Sequence, residues 1–169
     1  GAAHALYLLD LNGFKQINDI HGHGAGDEVL LAVAQRLRGA MREGDLVARF
    51  GGDEFAIIAL HLAGPEAATN VALRVIEALQ APIESGNGRH HVGAGIGIAL
   101  LPTDATAPEE ALRKADVALY RAKGERRAAL RFFEAEMDRR IHEREAMERA
   151  LRDALDHDAI APVFQPSFD

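Results

Sequence analysis

The chain has 169 residues, 48% of them hydrophobic, with 26 acidic against 19 basic residues and a formal net charge of −7. This length and apolar content suffice for one domain with a substantial core, and the acidic balance argues against a nucleic-acid-binding protein, which requires a basic face. The sequence lacks cysteine, an apolar run of about twenty residues and a secretory leader, so we expect no disulfides, no membrane-spanning segment and a cytoplasmic location.

The first predicted element is a buried strand that ends in an acid. Residues 5–11 form an apolar run of strand length that carries Asp10 near its end, and a polar, glycine-bearing stretch follows it. A carboxylate is costly inside a core, but it suits a hard oxygen ligand for Mg²⁺ where a strand meets a loop. A backbone carbonyl such as that of Leu11 would join it.

A helix is predicted next, over residues 27–42, because apolar residues recur at helical spacing. On residue types alone, Asn18 indicates a turn and Asp27 indicates the cap of this helix. His21 and His23 are assigned to a glycine-rich loop. No histidine pair in the chain has the helical spacing with an acid that is typical of zinc sites, so the histidines are given no catalytic role.

The segment RFGGDEFAIIAL predicts a hairpin. Apolar strands are expected over residues 46–50 and 55–60, with Gly51 and Gly52 as the two-residue turn, because glycine adopts the positive φ angles of a tight connection.

Two acids, Asp53 and Glu54, would project beside this turn. Neighbouring carboxylates repel each other unless a cation or a donor-rich ligand balances them, although a solvated acidic turn is the alternative on residue type alone. Together with Asp10, they predict a Mg²⁺ site of few carboxylates that leaves positions open for phosphate oxygens.

Helices and strands continue to alternate after the hairpin, which predicts an α/β (α+β) domain. The expected elements are a helix over 65–79, a strand over 91–101 that His90 and His91 open, a helix over 108–123 and a strand over 130–133. Residues 134–157 are rich in Glu, Arg and Ala with opposite charges four residues apart, which is typical of an exposed helix.

Three ordered blocks of the sequence resemble the GGDEF family of diguanylate cyclases. They are DLNGFKQINDIHGHGAGDEVL from residue 10, the intact signature GGDEF at 51–55, and GIGIALLPTDATAPEEALRKADVALYRAK from residue 95. The resemblance covers residues 5–137. It implies a palm-like, ferredoxin-like antiparallel sheet with packed helices, of the nucleotidyl cyclase type. It also implies an enzyme that condenses two GTP molecules into cyclic di-GMP with release of pyrophosphate, working as a homodimer with Mg²⁺ or Mn²⁺.

The resemblance assigns roles residue by residue. It implies that Asp53 and Glu54 are catalytic, and that the metal ligands are Asp10, the Leu11 carbonyl, Asp53 and Glu54. Guanine would be read by Asn18 and Asp27. The Asp27 carboxylate can accept hydrogen bonds from the guanine N1 and N2 donors, and the Asn18 amide can both donate and accept. The rest of the substrate-binding set would be Phe14, Lys15, Gly51, Gly52, Lys123 and Arg127, the cations facing the triphosphate.

A product site is implied at Arg42 and Asp45, which match the family's inhibitory RxxD motif, with cyclic di-GMP as the ligand. The alternative is structural, because residues 41–44 could be a basic helix end with a glycine stop.

The domain boundaries follow from the same resemblance. Residues 1–133 are assigned to the GGDEF domain, without the helical segment that usually precedes it, and 134–158 to a connector helix. Residues 159–169 resemble the first strand of an EAL phosphodiesterase domain, so the chain is interpreted as part of a larger GGDEF-EAL protein. Any membrane anchor of that parent would lie outside this chain.

Three substitutions depart from the family pattern, and alternative functions stay open. Asn12 replaces the usual second acid, Gly95 stands where serine is common, and Arg126 replaces a glycine just before Arg127. One alternative is a catalytically silent domain that binds GTP or cyclic di-GMP and controls an attached EAL domain. The other is a ferredoxin-like interaction domain without nucleotide affinity.

Overall fold

The computed structural model describes residues 3–86, 88–124 and 130–157, without the side chains of residues 136–141. Seven strands and five helices are found in this part of the chain: β1 Ala3–Asn12, α1 Phe14–His21, α2 His23–Ala40, β2 Leu46–Gly51, β3 Glu54–Leu62, α3 Pro65–Gln80, β4 Ile83–Ser85, β5 Gly88–His90, β6 Gly93–Leu101, α4 Pro108–Lys123, β7 Leu130–Phe132 and α5 Ala135–Asp156.

Five strands form one sheet in the order β2-β3-β1-β6-β7. The central strand β1 runs antiparallel to β3 and to β6, whereas β7 runs parallel to β6. Because β1 has a neighbour on each side, all its residues from Ala5 to Leu11 are buried, including the acid Asp10. The mixed, mostly antiparallel sheet with packed helices confirms the predicted α+β fold class.

Alternate residues of the central strand reach opposite faces of the sheet. Tyr7 and Leu9 belong to the larger core, which also includes buried residues of α1, α2 and α3. Leu6 and Leu8 pack instead in a second core with Ala115 and Leu119 of α4. The side of the sheet on which α4 lies is therefore the side toward which even-numbered β1 residues point, and Asp10 is one of them.

Helix α4 lies unusually close to strand β6 at Gly97. A Cβ atom built on Gly97 would be 2.1 Å from the Ala115 carbonyl oxygen and 2.3 Å from the Leu119 nitrogen. Both are backbone atoms of α4, so only glycine permits this approach. The close packing fixes the position of α4, whose last residue is Lys123.

The structure corrects the prediction for the region after β1. We expected turns and a glycine-rich loop before a helix beginning at Asp27, but α1 and α2 are separate helices joined at Gly22, with φ +86°. His21 ends α1 and His23 begins α2. Asp27 is therefore the fifth residue of α2 and cannot be its cap. Glycines at 22, 24 and 26 conceal the helical pattern because glycine is a poor helix former.

The hairpin turn is also displaced by one residue from the prediction. Gly51 pairs with Glu54 as the last residue of β2, so the turn consists of Gly52 and Asp53. Gly52 has φ +45°, and a register irregularity between Arg49 and Gly51 accommodates the shift.

A short hairpin of β4 and β5 was not predicted. His90 belongs to β5 rather than to the start of the next strand, and β6 begins at Gly93. Three-residue strands carry too little alternation to be recognised in a sequence.

Residues 135–169 form a second compact unit, separate from residues 1–134. Helix α5 confirms the predicted helix, with an Arg144 to Glu148 ion pair of 2.8 Å and the exposed side chains of Met147, Leu151 and Leu155. The segment 159–169, which resembles an EAL strand, lies outside the described residues. No helix in the described part of the chain is both long and apolar enough to cross a membrane.

Candidate active site

Pairing of β1 with β3 brings the predicted acids together at one end of the sheet. Asp10 lies directly opposite Glu54, and the Leu11 amide donates a hydrogen bond to the Asp53 carbonyl at 3.1 Å. On its other side Asp10 lies opposite Gly95 of β6. The sequence predicted that these acids share a site, and the strand register gives the reason: they are neighbours across a ladder.

The Asp10 carboxylate is buried and contacts a cation from another element. Its Oδ2 atom accepts a hydrogen bond from the Lys123 ammonium group at the end of α4. This hydrogen bond raises the pKa of Lys123, and the charges of Asp10, Glu54 and Asp53 raise it further, against the opposing effect of partial burial. Three carboxylates and one ammonium therefore leave a local excess of two negative charges.

The chemistry of these donors fits a divalent cation. Within the described ranges, no three His, Asp or Glu side chains converge closely enough to enclose a metal on their own. Mg²⁺ does not require such a cage, because it is commonly held by one or two carboxylates while water or phosphate oxygens complete its octahedron. Asp10 with Asp53 or Glu54 would provide that number of carboxylates, and the local excess of negative charge favours the cation.

The start of α1 follows closely after the acid of β1. Gly13 adopts φ +80° immediately after β1, and the helix begins at Phe14, only four residues beyond Asp10. The first backbone N–H groups of a helix have no intrahelical acceptor and attract phosphate. Lys15 is exposed here, whereas the Phe14 side chain is buried in the core, so Phe14 could contribute only its backbone amide to a substrate site.

Asn18 of α1 lies against the residue that precedes Asp27, where α1 and α2 pack together. Asn18 lies against Gly26, so closely that a Cβ on Gly26 would be 1.8 Å from the Asn18 Oδ1 atom and 2.8 Å from its Cγ. Asp27 is the next residue and is exposed, at the edge of a cavity of about 440 Å³. The two residues predicted to read guanine are therefore near each other in the fold. Gly26 has no side chain, and this leaves the space that the Asn18 amide occupies.

Two arginines missed by the sequence reasoning line the same cavity. Arg38 lies on α2 and Arg49 on β2, and the Arg49 Nε atom donates a hydrogen bond to the Gly52 carbonyl at 3.0 Å. This bond stabilises the turn that carries Asp53. The position of Arg49, two residues before the first glycine of the signature, could have indicated such a contact.

The predicted product site lies at the corner between α2 and β2. The Asp45 carboxylate accepts hydrogen bonds from the Arg42 amide at 3.0 Å and from the Leu60 amide of β3 at 3.0 Å. Gly44, just before Asp45, adopts φ +95°. A cavity of about 380 Å³ is lined by Arg42 and Asp45. Asp45 therefore organises the corner structurally, whether or not a ligand binds there.

The sequence reasoning also missed a charged residue of α3, Arg74. Its Nε and one terminal nitrogen are buried without a hydrogen-bond partner among the described residues. Burial raises the pKa of the nearby Tyr7 hydroxyl, Asp45 raises it further and Arg74 opposes the rise, so both charges lie close to Tyr7. The signal in the sequence was an arginine between Val71 and Val75 on the buried side of α3.

The remaining predicted residues are partly accounted for. Arg127 lies outside the described residues. His21 and His90 contact each other edge to face with ring centroids 4.8 Å apart, and His90 Nε2 lies 2.8 Å from the Ser85 hydroxyl. These contacts connect α1 to the short hairpin.

Comparison with known proteins gives a consistent result. The family profile described as "Diguanylate cyclase, GGDEF domain" matches residues 1–129. The diguanylate cyclase TpbB of Pseudomonas aeruginosa is 42% identical over 151 residues, which cover 89% of this chain and 35% of TpbB. The bifunctional diguanylate cyclase/cyclic di-GMP phosphodiesterase MucR of the same organism is 35% identical over 162 residues, covering 96% of this chain and 24% of MucR.

The chain spans about a fifth to a third of the length of the curated relatives it matches. Among solved structures, a truncated form of TpbB comprising only its GGDEF domain superposes with a TM-score of 0.80 at 42% identity, and the match covers 83% of each chain.

Proposed function

The chain belongs to the GGDEF family of diguanylate cyclase domains, and we propose that it condenses two GTP molecules into cyclic di-GMP with release of two pyrophosphates. The observation that carries this proposal is the placement of Asp10 opposite Glu54, beside Asp53, next to the first turn of α1 and to Lys123. Carboxylates for a divalent cation, backbone donors for phosphate and a half-exposed lysine side chain thus adjoin one another.

We propose that Asp10, Asp53, Glu54 and the Leu11 carbonyl supply the ligands for Mg²⁺ or Mn²⁺. The bound cation would neutralise the triphosphate and polarise its phosphorus–oxygen bonds. Lys15, Lys123 and the amides at the start of α1 bind the phosphate chain, with Arg127 as a further candidate cation. Asn18 and Asp27 orient the guanine, and Gly51 and Gly52 allow the phosphates to approach the hairpin backbone.

The reaction requires two nucleotides in opposite orientation. The 3′-oxygen of each ribose attacks the α-phosphorus of the other GTP, a new phosphodiester bond forms, and the bond to the departing pyrophosphate breaks. The hydroxyl proton passes to a base, for which Glu54 and Asp53 are the candidates on this chain. Because each domain holds one GTP, two copies must face each other, so the catalytic unit is a homodimer.

The test is incubation of the purified protein with GTP and Mg²⁺, followed by chromatographic identification of cyclic di-GMP and assay of pyrophosphate. We expect both products in a ratio of one to two. Nucleotide binding without pyrophosphate release would instead indicate the catalytically silent regulatory domain.

Substitution of Gly26 by alanine tests the guanine site. The new methyl group would occupy the space of the Asn18 amide, so we expect the KM for GTP to rise about tenfold through loss of a base contact. Because alanine favours helix more than glycine does, the free energy of unfolding should not fall.

The matched control is Gly24→Ala, two residues earlier in α2, where a Cβ would contact nothing within 4 Å. Steady-state kinetics and urea unfolding of both variants separate the two effects. An unchanged KM in Gly26→Ala would remove Asn18 from the guanine site.

We propose that Arg42 and Asp45, which line one cavity, bind cyclic di-GMP as an inhibitory site. Arg42→Ala is expected to raise the product concentration that gives half-inhibition about tenfold or more. Asp45 is the less suitable residue for this test, because its carboxylate also holds the Leu60 amide, and its loss would cost about 1–2 kcal/mol of stability. Product inhibition unchanged in Arg42→Ala would contradict the assignment.

We propose that residues 134–158 connect the GGDEF domain of residues 1–133 to an EAL phosphodiesterase domain of which 159–169 are the first strand. The separation of the two compact units at residue 134 and the bifunctional name of MucR support this arrangement. A cytoplasmic location, where GTP is available, is part of the same proposal.

A further inference from the structure

The contact between Lys123 and Asp10 has a structural basis of its own. Lys123 is the last residue of α4, and its side chain must cross β6 to reach Asp10 on β1. It crosses at Gly95, which lies opposite Asp10 in the sheet. A Cβ on Gly95 would lie 3.5 Å from the Lys123 Cγ and 3.6 Å from a Leu119 methyl group, so the lysine stem passes directly over the glycine.

The two partners differ in how much solvent they contact. The Asp10 side chain is 11% exposed, whereas the Lys123 side chain is 47% exposed. A buried carboxylate is costly without a compensating charge, but a half-exposed ammonium can return to water at little cost. Asp10 therefore needs a cation beside it, whereas Lys123 can leave Asp10 for another partner.

We propose that Lys123 is the counter-ion of Asp10 in the metal-free protein, and that an arriving divalent cation replaces it there. This inference depends on the proposed function, because it takes the cation site and the triphosphate as given. The released ammonium then turns to the phosphate chain of the nucleotide. The same residue thus opposes binding of the metal alone and favours binding of the metal with its nucleotide.

This exchange couples the two ligands. Binding of the metal releases the cation that the phosphates need, and binding of the phosphates removes the cation that competes with the metal. By thermodynamic linkage, each ligand must raise the affinity for the other by the same factor. The coupling favours occupation of the site by the metal–nucleotide pair over occupation by the metal alone.

The first experiment measures binding of Mn²⁺ alone, without nucleotide, from the electron paramagnetic resonance signal of the free ion. Lys123→Met keeps most of the apolar stem and removes the competing charge, so we expect Mn²⁺ to bind on the order of tenfold more tightly. The control is Arg121→Met, which removes one positive charge from the same last turn of α4. Its effect should remain below about twofold, because an exposed charge further away is screened.

The second experiment follows the lysine directly. The chain contains only three lysines, Lys15, Lys114 and Lys123, so reductive ¹³C-methylation gives few NMR signals, which Lys→Arg variants assign. At constant pH, saturating Mg²⁺ should shift the Lys123 signal and leave that of Lys114 in place, since Lys114 is paired with Glu110 on another part of α4.

Each outcome separates this inference from the proposed function. Three outcomes would overturn the exchange without contradicting the proposed cyclase function. They are an equal Mn²⁺ affinity of the wild type and Lys123→Met, an equal gain of affinity in Arg121→Met, and a Lys123 NMR signal that does not shift when Mg²⁺ is added. Failure of both the wild type and Lys123→Met to bind Mn²⁺ would overturn the exchange and the proposed metal site together. Tighter binding confined to Lys123→Met, with a shifted Lys123 signal in the wild type, supports it.

Discussion

Replacement of Asp53 by asparagine is expected to reduce formation of cyclic di-GMP from GTP by about a hundredfold or more. The substitution keeps the size of the side chain and removes one of the three carboxylates at the end of the sheet. Asp53 lies in the turn rather than in the core, and its backbone carbonyl, which binds the Leu11 amide, is unchanged. We therefore expect a folded protein that has lost turnover, measured as pyrophosphate release at saturating GTP and Mg²⁺.

The control for Asp53→Asn is Glu77→Gln, which removes the same formal charge from the exposed face of α3. Its turnover should match that of the wild type, and the circular dichroism spectra of all three proteins should coincide. Undiminished turnover in Asp53→Asn would remove this carboxylate from the reaction and leave Glu54 and Asp10 as the acids of the site.

The second large effect is expected for Gly97→Ala. The added methyl group would lie 2.1 Å and 2.3 Å from backbone atoms of α4, which cannot rotate away as a side chain can. Either α4 moves outward or β6 bends, and we expect a loss of about 2–4 kcal/mol in the free energy of unfolding measured with urea. Since α4 carries Lys123, the outward movement should also separate Lys123 from Asp10.

The matched substitution is Gly39→Ala near the end of α2, where a Cβ would meet nothing within 4 Å. It should stabilise the protein by about 0.5–1 kcal/mol, because alanine has the higher helix propensity. Similar small effects at both glycines would show that the close approach of α4 to β6 is not required.

The strand end at Asp10 and the hairpin tip at Asp53 and Glu54, where the candidate site lies, were predictable because their signals are local. A carboxylate at the end of an apolar run indicated the edge of a buried strand, and two acids beside glycines indicated a hairpin tip. Which acid lies opposite which was not predictable, because the pairing of Asp10 with Glu54 depends on the register of strands more than forty residues apart. The displaced turn at Gly52 likewise depends on an irregularity of pairing that no composition signals.

Other parts of the site depend on contacts between distant segments. Lys123 meets Asp10 across 113 residues of sequence, and Gly26 makes room for Asn18 from another helix. The local sequence around each of these residues gives no signal of the contact that it makes in the fold. Arg74 is an intermediate case, since a cation on an apolar helix face indicated an unusual environment but not its electrostatic effect on Tyr7.

The two acids at positions 10 and 53 belong to parts of the fold that should open at different rates. Asp10 is on the central strand, with a ladder on each side, so its surroundings can open only when the whole sheet does. Asp53 is at the tip of a hairpin whose outer strand, β2, is at the edge of the sheet. Amide protons near Asp53 should therefore exchange with deuterium well before that of Leu9, and on gradual heating catalysis should fail before the sheet melts.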